Sequence, residues 1–566
     1  MADARTIADH LARLLNQAVA DAVADGDLPD VAFPEIALER PKDPTHGDFA
    51  STLPLRVSRT AMKPPLEIAE IIARHIPADP AINPPSAAKP GFVNFALSDS
   101  FIREQIDAIV ESGGAFANLT IGAGKKAQVE FVSANPTGPL HVGNGRGAAI
   151  GDTLASILAA AGYDVDREYY VNDAGTQAGA FSATLYARYE QLAGRDVELP
   201  PGSYPGEYMV DLAKALRDKY GDSLLQPEKD PAPAELNDIG IALMVEDIRS
   251  TLETFGVRYD RWFSEKSLYE EGGLYDETMA LLETRGYLSE RDGARWFDSS
   301  ELGESKDNVV VRSDGRPTYY ASDIAYHYDK FIKRGYSLVV DVWGADHHGH
   351  VSRLKTAVGA VGGDPEVLHI LLYQLVTLKR GGEVVRIGKR SGEFVTLDEL
   401  IAEVGTDAAR FFFLQRSAGA QMEFDLDLAL QQSNENPVFY VQYAHARLAA
   451  ILDRARDQGL DDEGADLGLL VHPHELSLVR EMMRLPSVIE ACAESLEVHP
   501  LAYYATELAT SFHSFNDAFR QQGDSGLKVI TGDLAASRAR LRLVRAARIT
   551  LARVLELMGM NAPDRM

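Results

Sequence analysis

The chain has 566 residues, 45% hydrophobic and 25% charged, the balance of a soluble protein with buried cores, and at ~150 residues per domain it divides into three or four units. Asp and Glu outnumber Lys and Arg by 84 to 56, a net charge of −28, so contact with nucleic acid requires a local basic surface rather than the overall field. The single cysteine, Cys492, excludes a disulfide framework and a multi-cysteine zinc site; with no run of ~20 apolar residues and no secretory signal, a cytoplasmic protein without membrane contact is expected.

Residues 1–115 read as one α+β unit. Ile7, Leu11, Leu14, Leu15 and Val19 set a helical period, and a loop holding His46-Gly47-Asp48-Phe49 precedes a second helical stretch from Leu66 to Ile76. A proline-rich connection leads into Gly91-Phe92-Val93-Asn94-Phe95-Ala96-Leu97, which alternates like a strand. Residues 113–124 hold four glycines and form a linker.

From Gln128 the pattern is strand, Pro/Gly turn, helix, strand. The helix carries Ile150, Leu154, Ile157 and Leu158 and stops at Gly162, and Arg167 to Val171 is the next strand. Such a βαβ unit implies a parallel sheet. Residues 183–260 read as a helical insertion, strand signals resume at Asn308–Arg312 and Ser337–Trp343, and only helices are expected beyond 425.

Two motifs carry chemistry. Ser133-Ala134-Asn135-Pro136-Thr137-Gly138-Pro139-Leu140-His141-Val142-Gly143-Asn144 ends a strand and opens a helix among glycines, leaving backbone N–H groups and a partial positive charge suited to polyphosphate. His141 and Asn144, three apart, would point the same way from the first turn; a plain glycine-rich turn with a capping Asn explains the motif equally well by itself. Arg386-Ile387-Gly388-Lys389-Arg390-Ser391-Gly392 sets two adjacent cations between glycines, a basic loop able to close over phosphate, or a solvated turn. Its glycine spacing fails the Walker pattern.

Taken together, the two motifs resemble those of class I aminoacyl-tRNA synthetases. Tyr169-Tyr170-Val171-Asn172-Asp173-Ala174-Gly175, Gly344-Ala345-Asp346-His347-His348, Lys389 to Leu397 and Asn436 to Arg447 narrow the resemblance to bacterial arginyl-tRNA synthetases. His46 to Phe49 and Gly91 to Phe95 resemble that family's N-terminal domain, and Ala562 to Met566 its C-terminal end.

The resemblance implies a multidomain α/β protein in three parts. These are an N-terminal α+β domain over 1–115 at the tRNA elbow, a Rossmann-type parallel-sheet catalytic domain over 116–424, and an all-α anticodon-binding domain over 425–566. It implies ATP-dependent activation of L-arginine, dependent on tRNA, and transfer to the terminal adenosine of tRNA(Arg). ATP would enter as its Mg2+ complex, with no structural metal, and the protein would be a monomer. His141, Asn144 and Lys389 are implied as catalytic, with Gly143, Gly344 and Asp346 completing the ATP site. Asn stands where the family's second signature histidine is usual; it still donates a hydrogen bond but carries no charge. Ser133, Asn135, Asn144, Tyr319, Asp323 and His347 are implied arginine contacts, Asp323 because a planar guanidinium demands a bidentate carboxylate. Read alone, Asp323 fits a helix N-cap better than a ligand.

The residues expected at tRNA are Tyr440, Tyr443, Arg447, Arg538, Arg542, Arg545 and Met566. Between Leu534 and Val554 lie six arginines and no acid, and Arg538, Arg542 and Arg545 share one helical face, a local cationic stripe. The alternatives are another class I synthetase, a tRNA-free adenylyl transferase of the same fold, and a non-catalytic paralogue that binds tRNA or arginine.

Overall fold

The strand Lys126–Phe131 is buried from its second residue onward, and it is the centre of a five-stranded sheet. In the computed structural model, which describes residues 7–41, 43–174, 177–227, 232–233, 235–385, 394–518 and 528–566, this sheet runs Leu368–Tyr373, Leu338–Gly344, Lys126–Phe131, Asp164–Val171, Arg261–Ser264. Every neighbouring pair is parallel. Numbered along the chain the order is 5-4-1-2-3, so the winding reverses beside the central strand. In open α/β sheets ligands bind in the crevice that opens there, at the carboxyl ends of the strands.

The helix Val142–Ala160 crosses from the central strand to its neighbour and is buried almost all round. Glycines let it lie close: a Cβ at Gly151 would stand 2.2 Å from Phe131 Cγ. The insertion contributes helices Gln177–Leu192, Glu207–Tyr220 and Glu235–Thr254, so the helical run begins upstream of the expected residue 183. An antiparallel sheet of Leu288–Arg291, Ala294–Phe297 and Asn308–Val311 follows; only its last strand was legible as a strand.

The N-terminal unit pairs Leu38–Glu39, Phe49–Ser51, Phe92–Phe95 and Ser86–Ala88 in antiparallel order against helices Ile7–Ala24, Leu53–Ala61 and Pro65–His75. Beyond the strand Met422–Asp425 the chain is helical, with long helices at Pro437–Asp457, His499–Ala518 and Leu534–Leu557. Among the described residues no helix is long and apolar enough to cross a membrane.

Two features join the units. Arg410 is fully buried and donates to Asp152 Oδ2 (2.6 Å) on the glycine-rich helix, to the Phe255 carbonyl (3.2 Å) and to the Met558 carbonyl (2.8 Å). The second is the arginine-rich helix Leu534–Leu557, whose arginines pair with groups from other segments. Arg540 is buried against Glu475 (2.9 Å), Arg542 meets Asp107 (2.8 Å) and Asp462 (3.4 Å), Arg545 meets Asp462 (2.6 Å), and Arg538 donates to the Glu463 carbonyl (2.7 Å). The compensating acids come from distant segments, so an acid-free stretch of sequence does not make a free basic face.

Candidate active site

The strand ends abruptly. Ser133 N–H donates to the Phe131 carbonyl at 3.0 Å, closing a three-residue turn around Val132. Val132 has φ +69° and Ser133 φ +40°, the left-handed region that a β-branched residue avoids. Strain of this kind costs of order 1–3 kcal/mol per residue and persists where surrounding contacts over-determine the backbone. Those contacts are present. Ser133 Oγ donates to Glu130 Oε1 (2.9 Å) and accepts from Tyr170 N–H (3.1 Å), Tyr259 Oη donates to the Phe131 carbonyl (3.0 Å), and Tyr169 Oη donates to the Ala134 carbonyl (2.8 Å).

The turn delivers the chain to the N-terminus of the helix Val142–Ala160, where His141 is the cap. Asn144 N–H donates to His141 Nδ1 (3.3 Å), and His141 N–H donates to Asn144 Oδ1 (3.0 Å), a reciprocal capping box. Because Nδ1 accepts, the ring proton of neutral His141 lies on Nε2. Burial by the pocket walls lowers the His141 pKa, only partly opposed by Asp346, so the ring is a neutral donor at neutral pH. Asn144 keeps its Nδ2 hydrogens. Both residues therefore offer donors beside the helix N-terminus while their acceptor atoms hold the helix start.

One cavity of about 1560 Å³ gathers most of the residues expected at the site: Ser133, Asn135, His141, Gly143, Asn144, Tyr319, Asp323, Gly344, Asp346 and His347 all line it. The structure thus brings together the expected nucleotide and amino-acid contacts from the loop after Phe131, the start of the helix Val142–Ala160, the helix Tyr319–Tyr328 and the turn that follows the strand Leu338–Gly344. Lys389 lies outside the described residues, as do Arg386 to Glu393. The segment that follows is paired to the first motif: Leu397 N–H donates to the Leu140 carbonyl (2.8 Å), Val142 N–H to the Val395 carbonyl (3.3 Å), and the Phe394 ring meets His141 edge-on at 5.8 Å.

Asp323 sits in the second turn of the helix Tyr319–Tyr328, capped by Thr318, so it is not an N-cap. Burial, then the nearby carboxylates of Glu130, Glu265 and Asp341, push its pKa up to about 8. Its neighbour Glu265 is buried, accepts from Ser322 Oγ (2.9 Å), and is likewise raised by burial. Tyr319 is 57% exposed at the mouth, between this cavity and a smaller one lined by Glu265, Arg312 and Arg316.

Sequence reasoning missed the charged floor of this pocket. Lys330, with no exposure, donates to Glu130 Oε2 and Asp341 Oδ1, both at 2.7 Å, and His327 joins Asp341 Oδ2 at 3.0 Å. Burial alone would lower the Lys330 pKa, but Asp341 and Glu130 reverse it and the ammonium is held charged. The available signal was an acid inside an apolar strand: Glu130 in Val129-Glu130-Phe131 and Asp341 in Val340-Asp341-Val342, where a doubly covered parallel strand otherwise excludes charge.

Remote from the cavity, Tyr440 and Tyr443 pack around His513 at 4.5 and 6.0 Å, Phe439 stacks on Tyr443, and Arg447 donates to Tyr443 Oη (3.1 Å). Met566 is exposed. Among the described residues no group of three or more His, Cys, Asp or Glu side chains is placed to hold a metal ion.

A doubly wound sheet with the glycine-rich His141–Asn144 helix start at its switch point is the architecture of the class I aminoacyl-tRNA synthetase catalytic domain. Residues 105–201 and 235–418 match the family model for the class I (R) tRNA synthetase catalytic domain. Residues 9–97 match the arginyl tRNA synthetase N-terminal domain, and residues 441–566 the DALR anticodon binding domain. The chain is 50% identical over 552 residues to an arginine–tRNA ligase of Dehalococcoides mccartyi, covering 98% of both. It is 48% identical over 533 residues to that of Carboxydothermus hydrogenoformans, covering 94% of both. The Thermus thermophilus arginyl-tRNA synthetase structure has the same fold, with TM-score 0.75 at 23% identity over 98% of this chain and all of that one. The chain belongs to the arginyl-tRNA synthetase family.

Proposed function

We propose that this protein activates L-arginine with ATP, taken as its Mg2+ complex, and transfers the arginyl group to the terminal adenosine of tRNA(Arg). The observation that carries the reading is a single cavity joining a helix N-terminus, with His141 and Asn144 as donors, to a half-buried carboxylate, Asp323. The guanidinium would meet Asp323, with Glu265 beside it, while Ser133, Asn135, Tyr319 and His347 hold the rest of the amino acid. That pose directs the arginine carboxylate toward the α-phosphorus of ATP. A carboxylate oxygen forms the new bond to phosphorus as the bond to the bridging oxygen breaks and pyrophosphate leaves. Nε2–H of His141, Nδ2–H of Asn144 and the helix amides receive the charge that builds on the phosphate oxygens. Gly143, Gly344 and Asp346 would frame the nucleotide. Lys389 would close on the departing pyrophosphate; the pairing of Phe394 to Leu397 beside His141 supports that role.

The proposed division is 1–115 for the elbow-contacting domain, 116–424 for catalysis and 425–566 for the anticodon. Arg538 and Arg545, whose side chains are 41% and 47% exposed despite their ion pairs, are better placed for tRNA phosphates than Arg542. Tyr440, Tyr443, Arg447 and Met566 complete the proposed tRNA contacts, and a cytoplasmic monomer is the proposed state. Arginine-dependent ATP–pyrophosphate exchange, run with and without tRNA(Arg), tests the reading. Exchange is expected only with tRNA present. Exchange with a different amino acid, or none under either condition, overturns it.

A further inference from the structure

Lys330 is the one fully buried lysine among the described residues, and neither motif contains it. It lies in a π-helical turn, Asp329–Lys333, that continues the Asp323 helix. Such one-residue expansions of a helix recur at functional sites because they redirect a side chain that regular geometry would aim elsewhere. Here two of the three N–H donors of the ammonium are committed. They go to Glu130 and Asp341 on adjacent strands, and the charge lies 4.3 Å from the centre of the Tyr326 ring.

Glu130 is the link to substrate. One of its oxygens takes the ammonium, and the other takes Ser133 Oγ. Ser133 is the second of two consecutive left-handed residues, neither of them glycine. Beyond them the chain turns away from the sheet and lines the cavity through Ser133, Ala134 and Asn135. A strand that simply continued would not place those groups there.

We propose that Lys330 is a positioning residue of the arginine site: its ammonium fixes Glu130, and Glu130, through Ser133, holds the strained Val132–Ser133 turn in the shape that presents Ser133 and Asn135 to the amino acid. The proposal rests on the reading of Ser133 and Asn135 as arginine contacts. It assigns a direction to the coupling. Loss of Lys330 acts on the amino-acid side of the cavity and leaves the nucleotide side, built on the independently capped helix at His141, largely intact.

The test is a double-mutant cycle on the full chain with Lys330→Met, Glu130→Gln and the pair, assayed by tRNA-supported pyrophosphate exchange. Each single change should raise the arginine KM at least tenfold while the ATP KM stays within twofold. The double variant should be no worse than the worse single, because both act through one chain of contacts. Equal rises in the arginine and ATP KM values, or losses that multiply in the double variant, overturn the proposal. Should Lys330→Met fail to fold, Glu130→Gln decides alone: the amide keeps the volume but loses the charge that fixes it to Lys330, and unchanged arginine KM refutes the relay. Wild-type protein inactive with arginine would refute the functional reading instead, so the two failures are distinguishable.

Discussion

Arginine binding should expel a proton, because Asp323 holds one in the free pocket. Burial and three neighbouring acids raise its pKa to about 8, so at pH 7 about 90% of the molecules carry a neutral Asp323. A guanidinium in bidentate contact demands the carboxylate, which lowers the pKa in the complex far below its free value. Binding at pH 7 therefore releases about 0.9 proton per arginine, falling to about 0.1 at pH 9. The sign follows from the direction of the shift. Affinity is complete above pH 8 and falls about tenfold, ~1.4 kcal/mol, for each unit below it. Titration calorimetry of arginine in two buffers of different ionisation heat, at pH 7 and pH 9, measures the release directly. Asp323→Asn should abolish it and weaken arginine binding by roughly 3–5 kcal/mol, the scale for stranding one partner of a buried pair. Equal heats in both buffers at pH 7, with affinity constant from pH 6 to 9, would refute the reasoning.

Gly559→Ala should destabilise the protein by about 2–4 kcal/mol, since the new Cβ would stand 2.2 Å from Arg410 Nη2 at a backbone φ of +66°; a melting temperature equal to wild type would show that the Arg410 clamp yields easily. Asn144→Ala removes the acceptor for the His141 N–H and a donor toward phosphate, so helix stability should drop by about 1 kcal/mol and kcat for exchange by roughly 100-fold. Asn144→His should recover the rate if donation to phosphate is the residue's main task. Lys389→Ala should lower kcat for adenylate formation roughly 100-fold while sparing transfer from preformed arginyl-adenylate; equal slowing of both steps would assign the loop to the tRNA end.

Much of the site was legible because its chemistry is local. The turn from Ser133 to Gly147 declares itself through prolines and glycines, and the helix behind it through an i, i+4, i+7 stripe. Asp323 could be named from the motif around it, but its raised pKa depends on burial and on Glu130, Glu265 and Asp341, which lie far apart in sequence. Lys330 was invisible for the same reason: beside Asp329 it reads as a surface charge pair, and its true partners are 200 and 11 residues away. The short strands at Phe49–Ser51, Arg261–Ser264 and Leu288–Arg291 escaped because three or four residues show no resolvable period. The ion pairs of the cationic stripe were not legible because periodicity reports a helix face and says nothing of what packs on it.

The Arg410 clamp also has a timetable. Two of its acceptors, Asp152 Oδ2 and the Phe255 carbonyl, precede Arg410 in the chain, but the third, the Met558 carbonyl, follows it by 148 residues. At ~5–20 residues per second, roughly 7–30 s of synthesis separate the guanidinium from its last partner. During that interval the Arg410 Nε–H has no protein acceptor, and its side of the niche stays open to water. The glycine-rich helix that starts at the active site is sealed from behind only when the end of the helix Leu534–Leu557 has been made and has docked. The catalytic sheet and the helical C-terminal unit, separable on paper, therefore mature as one object.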